Sequence, residues 1–134
     1  MKFTRMFFLL ITVCLLSNCE TTDETVDGST ATYYLCRTQW ESLFTDNIGV
    51  KCKQEFSFNK DGTGVELFTA YKLSQTETNE YSFNWSWASG YFDSIIITYS
   101  TNNRVLFDNV RVEYSVLTGY LDGNYVNFSS DGLP

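Results

Sequence analysis

The chain has 134 residues, with 16 acidic against 9 basic side chains, no histidine, one proline and four cysteines. A net charge of −7 argues against a nucleic-acid binder, which needs a basic footprint. The missing histidine removes Ser-His-Asp, Cys-His and most metal-site chemistry, and the length fits a single domain.

At the N-terminus, Lys2 and Arg5 precede an apolar run from Met6 to Leu16, which closes in Leu16-Ser17-Asn18-Cys19. About eleven apolar residues are too few to span a bilayer, which takes roughly twenty. A basic start before a short apolar core matches an export signal. The closing residues resemble a lipobox, where a peptidase cuts before the cysteine and the new N-terminus is acylated. The expectation is a signal peptide over 1–18 and a lipidated Cys19, holding the protein to a membrane by lipid. An ordinary secretory signal cut elsewhere and a buried helix of the folded domain are the alternatives, the second disfavoured by the polar, acidic stretch from Glu20 to Thr30 that follows. Cys14, inside the run behind Thr12 and Val13, is the poorer acylation site. A chain beginning at Cys19 keeps seven basic and sixteen acidic residues, a net charge of −9. Such a chain has no electrostatic hold on an anionic leaflet.

Residues 19–31 read as a flexible acidic tether. Glu20 to Ala31 carries four acids and only Val26 as a sizeable apolar side chain, too little burial to offset ordering entropy. Extended, about eleven residues reach roughly 35–40 Å.

The remaining stretch, 32–134, has a period of two. Tyr81, Phe83, Trp85 and Trp87 alternate with polar or small residues, the pattern of a half-buried strand. Val50, Cys52, Phe56 and Phe58 do the same, with Gln54 breaking the apolar face once. Val110, Val112, Tyr114 and Val116 form a third such face. Asp46–Gly49, Asn59–Gly62, Ser89-Gly90, Thr101–Asn103 and Asp122-Gly123 supply turns that accept positive φ. The expected strands are 33–44, 50–58, 64–72, 80–88, 93–99, 104–107, 109–117 and 119–128, the last containing a turn. Short, evenly spaced strands with hairpin turns imply an all-β antiparallel meander, closed on itself or paired face to face.

Cys36 and Cys52 remain as an even pair once Cys14 and Cys19 are assigned to the signal and the anchor. In an oxidising compartment they are expected to bond across the first hairpin. The closed loop of about seventeen residues would add roughly 3 kcal/mol. Two free, buried thiols are the alternative.

Trp40, then Phe56-Ser57-Phe58-Asn59-Lys60-Asp61-Gly62-Thr63-Gly64, then Phe83-Asn84-Trp85 and a late Leu117-Thr118 resemble the small lipocalin-like lipoproteins of Gram-negative envelopes. The resemblance spans about residues 33 to 128. It implies a small lipocalin-like β-barrel of about eight strands, anchored in the outer membrane on its periplasmic side or at the cell surface. Thr38-Gln39-Trp40 stands where true lipocalins carry Gly-x-Trp, which removes the ground for a deep calyx.

Chemistry is sparse. Asp61, Glu66, Asp93, Asp108 and Asp122 are the available acids, most of them expected in solvated turns or at strand ends and none on an apolar face. A carboxylate-pair enzyme is therefore not expected. Asn59–Gly62 lacks the alternating ligands of a calcium loop and reads as a plain turn. No metal, cofactor or nucleic acid is implied. Trp40, Trp85 and Trp87 either fill the barrel or line a ligand wall, and Tyr33, Tyr34, Tyr91, Phe92, Tyr99, Tyr120 and Tyr125 lie toward the surface. Asp93-Ser94-Ile95 resembles a bacterial O-glycosylation acceptor. The function expected is a non-enzymatic, membrane-anchored binder of a small apolar or glycan-like ligand. A filled-core module that recruits an envelope protein is the alternative.

Overall fold

The computed structural model describes residues 30–100 and 102–130. The signal over 1–18, Cys14, Cys19 and nearly all of the tether lie outside the described residues. Eight strands follow one another: β1 (Gln39–Thr45), β2 (Lys51–Phe58), β3 (Thr63–Tyr71), β4 (Thr76–Trp87), β5 (Ile95–Ser100), β6 (Asn103–Val112), β7 (Val116–Leu121) and β8 (Asn124–Ser130). Each pairs antiparallel with the next and β8 returns to β1, so the meander closes into a barrel. The all-β antiparallel meander expected from the period-two pattern is what the chain forms, and of the two ways to bury its face it closes on itself.

The turns close as their residues dictate. Asp46 accepts the amides of Ile48 and Val50 on its carboxylate, and Gly49 takes a φ of 88°. Asp61 accepts both the amide and the hydroxyl of Thr63, beside Gly62 at φ 90°. Asp122 and Gly123, at φ 50° and 82°, form a two-residue hairpin of the primed type, whose twist matches that of the strands it joins.

Register decides which side chains meet inside. Trp40 faces Phe56, Phe58 faces Gly64, Gly64 faces Phe83, Trp85 faces Ile97 and Leu117 faces Phe128. These residues, with Leu35, Ile95, Phe107 and Val110, make the buried core. Its rings meet mostly edge to face, as between Phe56 and Phe128 at 5.5 Å and Phe58 and Phe83 at 5.4 Å, the arrangement that ring quadrupoles favour.

Three segments differ from the sequence expectation. The expected strand from residue 33 is a short helix, α1, over 30–36, followed by β1 only at Gln39. Leu35 is fully buried, and its carbonyl accepts the Trp40 indole N–H at 2.9 Å. That anchor turns the segment across the barrel end instead of along a wall. The break expected near residue 108 is a bulge inside one strand: the β6–β7 register shifts between Asp108 and Arg111, with Asn109 at φ 52°. The expected strand 109–117 is cut, with Tyr114 exposed in a bend and β7 beginning at Val116, while the turn expected within 119–128 lies at Asp122-Gly123 between β7 and β8.

The expected Cys36–Cys52 disulfide is absent; both thiols are free. Cys36 ends α1, where Lys60 and Asp61 of the β2–β3 turn act on it. Cys52 sits at the far end of β2, opposite Phe44 and Ala70 and within the field of Asp46. The six-residue climb along β2 from Cys52 to Phe58 is about 20 Å. A disulfide needs Cα atoms within about 7 Å. The pairing assumed that both cysteines flank one hairpin, and α1 places them at opposite ends.

Candidate functional site

The barrel has two unlike ends. At the end where the chain enters, α1, the Asn59–Gly62 turn and the 88–94 loop close over the core. Trp85 donates its indole N–H to the Asn59 carbonyl at 2.9 Å and Trp87 donates to the Thr32 hydroxyl at 3.1 Å. Trp85, Trp87 and Phe92 stand edge to face in succession at 5.9 and 5.5 Å. Phe92 holds a φ of 55° to do so, a conformation that costs a non-glycine residue about 1–3 kcal/mol. Arg37 lies over the Tyr114 ring at 3.9 Å and donates to the Tyr114 carbonyl. The structure therefore brings Trp40, Trp85 and Trp87 together in the closed half, with each indole N–H bonded within the chain. Ser94 donates its hydroxyl to the Asp108 carboxylate at 2.7 Å.

At the opposite end the inner parity carries polar groups among apolar ones: Phe44 and Phe68 hold inward positions with ring centres 5.9 Å apart, and Gln54 and Glu66 stand between them and the core. Following the register up from the core, Phe56 faces Glu66, and Glu66 faces Tyr81. Gln54 is next above Phe56 on the inner face of β2, and Tyr99 is next after Ile97 on β5. Glu66 is only 9 % exposed. Its carboxylate accepts the Gln54 amide at 2.5 Å and a hydrogen bond from the Tyr99 hydroxyl. Burial, then the negative charge of Glu66 and that hydrogen bond, push the Tyr99 phenol well above its ordinary value, so it stays a donor.

Glu66, expected with the other acids off any apolar face, stands on the inner wall. The signal was present in Gly64: a glycine opposite Phe83 marks the inward parity of β3, and Glu66 is two residues on. The break that Gln54 makes in its apolar face has its cause here, because it is the partner of Glu66.

Glu66, Tyr81, Tyr99, Asn103 and Val105 line a cleft of about 270 Å³. Tyr81 and Tyr99 stand perpendicular, ring centres 6.5 Å apart. The cleft opens because β4 pairs with β5 only over Asn84–Trp87, whereas its upper part pairs with β3 alone. A second, more apolar notch of about 330 Å³ lies between the tips of β1, β2 and β3, lined by Leu43, Phe44, Lys51, Cys52 and Tyr71 among others. Leu43, Ile48 and Leu73 are exposed around it.

No protein-family model matches the chain, and comparison with curated proteins and with solved structures returned no match. Among the described residues no group of three or more carboxylate or thiol side chains is placed to hold a metal ion. The chemistry on offer in the cleft is one buried carboxylate, two phenol rings and one amide.

Proposed function

We propose that the protein is a non-enzymatic, lipid-anchored envelope lipoprotein that binds a small ligand at the open end of its barrel. One observation carries the binding reading: the interior is packed at the α1 end and gives way, past Phe56 and Phe83, to a cleft with a buried carboxylate in its wall. Convergent polar groups in an aromatic recess are the usual makings of a ligand site. The anchor reading rests on the Lys2/Arg5 start, the short apolar run and Leu16-Ser17-Asn18-Cys19, and it places the protein in the outer membrane in keeping with the lipocalin-like resemblance. Cells labelled with palmitate test the anchor. Cys19→Ser should lose the label and leave the membrane fraction, and retained label would refute it. Mass spectrometry of the native protein from envelope extracts tests the binding. A bound small molecule is expected, lost when the cleft is blocked by Asn103→Trp.

A second reading has its own support. Among the described residues the upper part of β4 has one unpaired edge, and Leu43, Ile48 and Leu73 are exposed at or near the hairpin tips. An envelope protein adding a strand to that edge would make the barrel a recruitment module. Cross-linking in the envelope through position 78 on that edge separates the two readings, since only the second gives a protein adduct.

A further inference from the structure

We propose that the open-end cleft is a cation site: it takes a small ligand that presents an ammonium group to Glu66 and lays its carbon skeleton against Tyr81 and Tyr99. This deepens, and rests on, the reading of the open end as a ligand site.

Glu66 is nine-tenths buried, and both of its partners, the Gln54 amide and the Tyr99 hydroxyl, are uncharged donors. The ion pairs among the described residues lie elsewhere, at Lys53–Glu55, Lys72–Glu77 and Arg111–Glu113. Among the described residues no lysine or arginine lines the cleft. A carboxylate removed from water without a cation is costly to hold, because neutral donors solvate its charge but do not cancel it. The barrel leaves this charge beside space instead of beside a lysine.

The walls suit the same occupant. The Tyr81 and Tyr99 rings stand at 90° to one another, and the face of a phenol attracts an ammonium group. The Asn103 amide offers a further acceptor. The chain's net charge of −7 draws cations toward any cleft on its surface and repels anions. At about 270 Å³ the space falls below the usual range for drug-sized ligands. That favours a compact amine over a sugar chain, whose many hydroxyls would need more than the one carboxylate, one amide and two phenols that line the cleft.

The experiment compares two probes of one skeleton, phenethylamine and 2-phenylethanol, titrated into the full chain and followed by amide and side-chain NMR shifts at Glu66, Tyr99 and Asn103. The amine should bind at least about tenfold more tightly than the alcohol. Glu66→Gln, which keeps the shape and a bond to Gln54, should erase that preference. Tyr81→Leu, at a rim position 45 % exposed, should weaken the amine about threefold or more with the thermal midpoint unmoved. Equal binding of the two probes, or a preference that survives Glu66→Gln, overturns the cation assignment and leaves the ligand-site reading standing. Tighter binding of N-acetylglucosamine than of the amine overturns it in favour of a glycan. If no probe shifts any of the three residues, the ligand-site reading itself falls.

Discussion

Gly64→Ala should destabilise the barrel by an amount the structure allows one to work out. A Cβ at residue 64 would stand 2.3 Å from Cε2 and Cζ of Phe83 and 2.7 Å from the Ser57 carbonyl oxygen. The Phe83 ring cannot swing aside, because Phe58, Phe56 and Tyr99 hold it at 5.4, 5.9 and 5.8 Å. The Ser57 oxygen belongs to the neighbouring strand and moves only with β2. Overpacking of this kind costs about 1–3 kcal/mol, and replacing glycine in a strand returns about 0.5–1 kcal/mol of chain entropy. The net loss is about 1–2 kcal/mol, or a fall of about 5–15 °C in Tm for a domain of this size. Scanning calorimetry at neutral pH reads it directly. Gly90→Ala is the reference, since a Cβ there meets nothing within 4 Å. Combining Gly64→Ala with Phe83→Leu should make the two losses less than additive, as the clash goes with the ring. A Tm within about 2 °C of the parent for Gly64→Ala, or strict additivity in the double variant, would refute the reasoning. Because Phe83 supports Tyr99, the single variant should also shift the Tyr99 resonances at the cleft.

Three further outcomes are expected. Both cysteines should be free in the folded protein, so reductant leaves the intact mass and Tm unchanged. Native alkylation should reach half-buried Cys36 before Cys52, which is 2 % exposed, with burial raising both thiols and slowing both reactions. Trp40→Phe should cost about 1–3 kcal/mol by leaving the buried Leu35 carbonyl without its donor, and hydrogen exchange should show α1 loosening first. The Thr63 hydroxyl, then the Thr63 amide, hold the Asp61 carboxyl below its ordinary value, as Ser94 and the Asn109 amide do for Asp108. The folded state therefore binds these protons less readily than the unfolded chain. Their contribution is full above the ordinary aspartate pKa of about 3.9 and is lost as pH falls through the folded values. A carboxyl NMR titration should place both midpoints low, and Thr63→Val should bring the Asp61 midpoint up.

Alternation made the walls legible from sequence. Phe83-Asn84-Trp85 and Phe56-Ser57-Phe58 each show strict alternation with one face buried, and both lie in the strands expected of them. It failed where local pattern and tertiary packing disagree. Tyr33, Tyr34 and Leu35 look like the start of a strand, yet only Leu35 is fully buried, and the Trp40 indole draws its carbonyl across the barrel end. In β3 the eye follows Val65 and Leu67, which are only half-buried and face outward, while the inner face carries Gly64 and Glu66 before it reaches Phe68. That parity depends on the partner strands, so a reading of β3 alone points the wrong way. The cleft is less legible still, since it arises where β5 stops pairing with β4, a matter of strand length and stagger that no single residue announces.

The closure of the barrel has a kinetic consequence. Most neighbouring strands join through short turns, whereas β1 meets β8, among the described residues, through two residue pairs, Trp40 with Ser130 and Glu41 with Ser129. The hairpins can form locally, but this seam joins residues ninety positions apart, and the loop entropy of that encounter must be met before its few contacts are gained. Sealing the seam is thus the slow, late event of folding, and until it occurs the meander carries two bare strand edges open to other chains. Because Trp40 lies on the seam and is wholly buried once it shuts, the moment its indole leaves water times the closure. Stopped-flow fluorescence of a chain keeping Trp40 alone among the tryptophans should show its main change in the slowest phase.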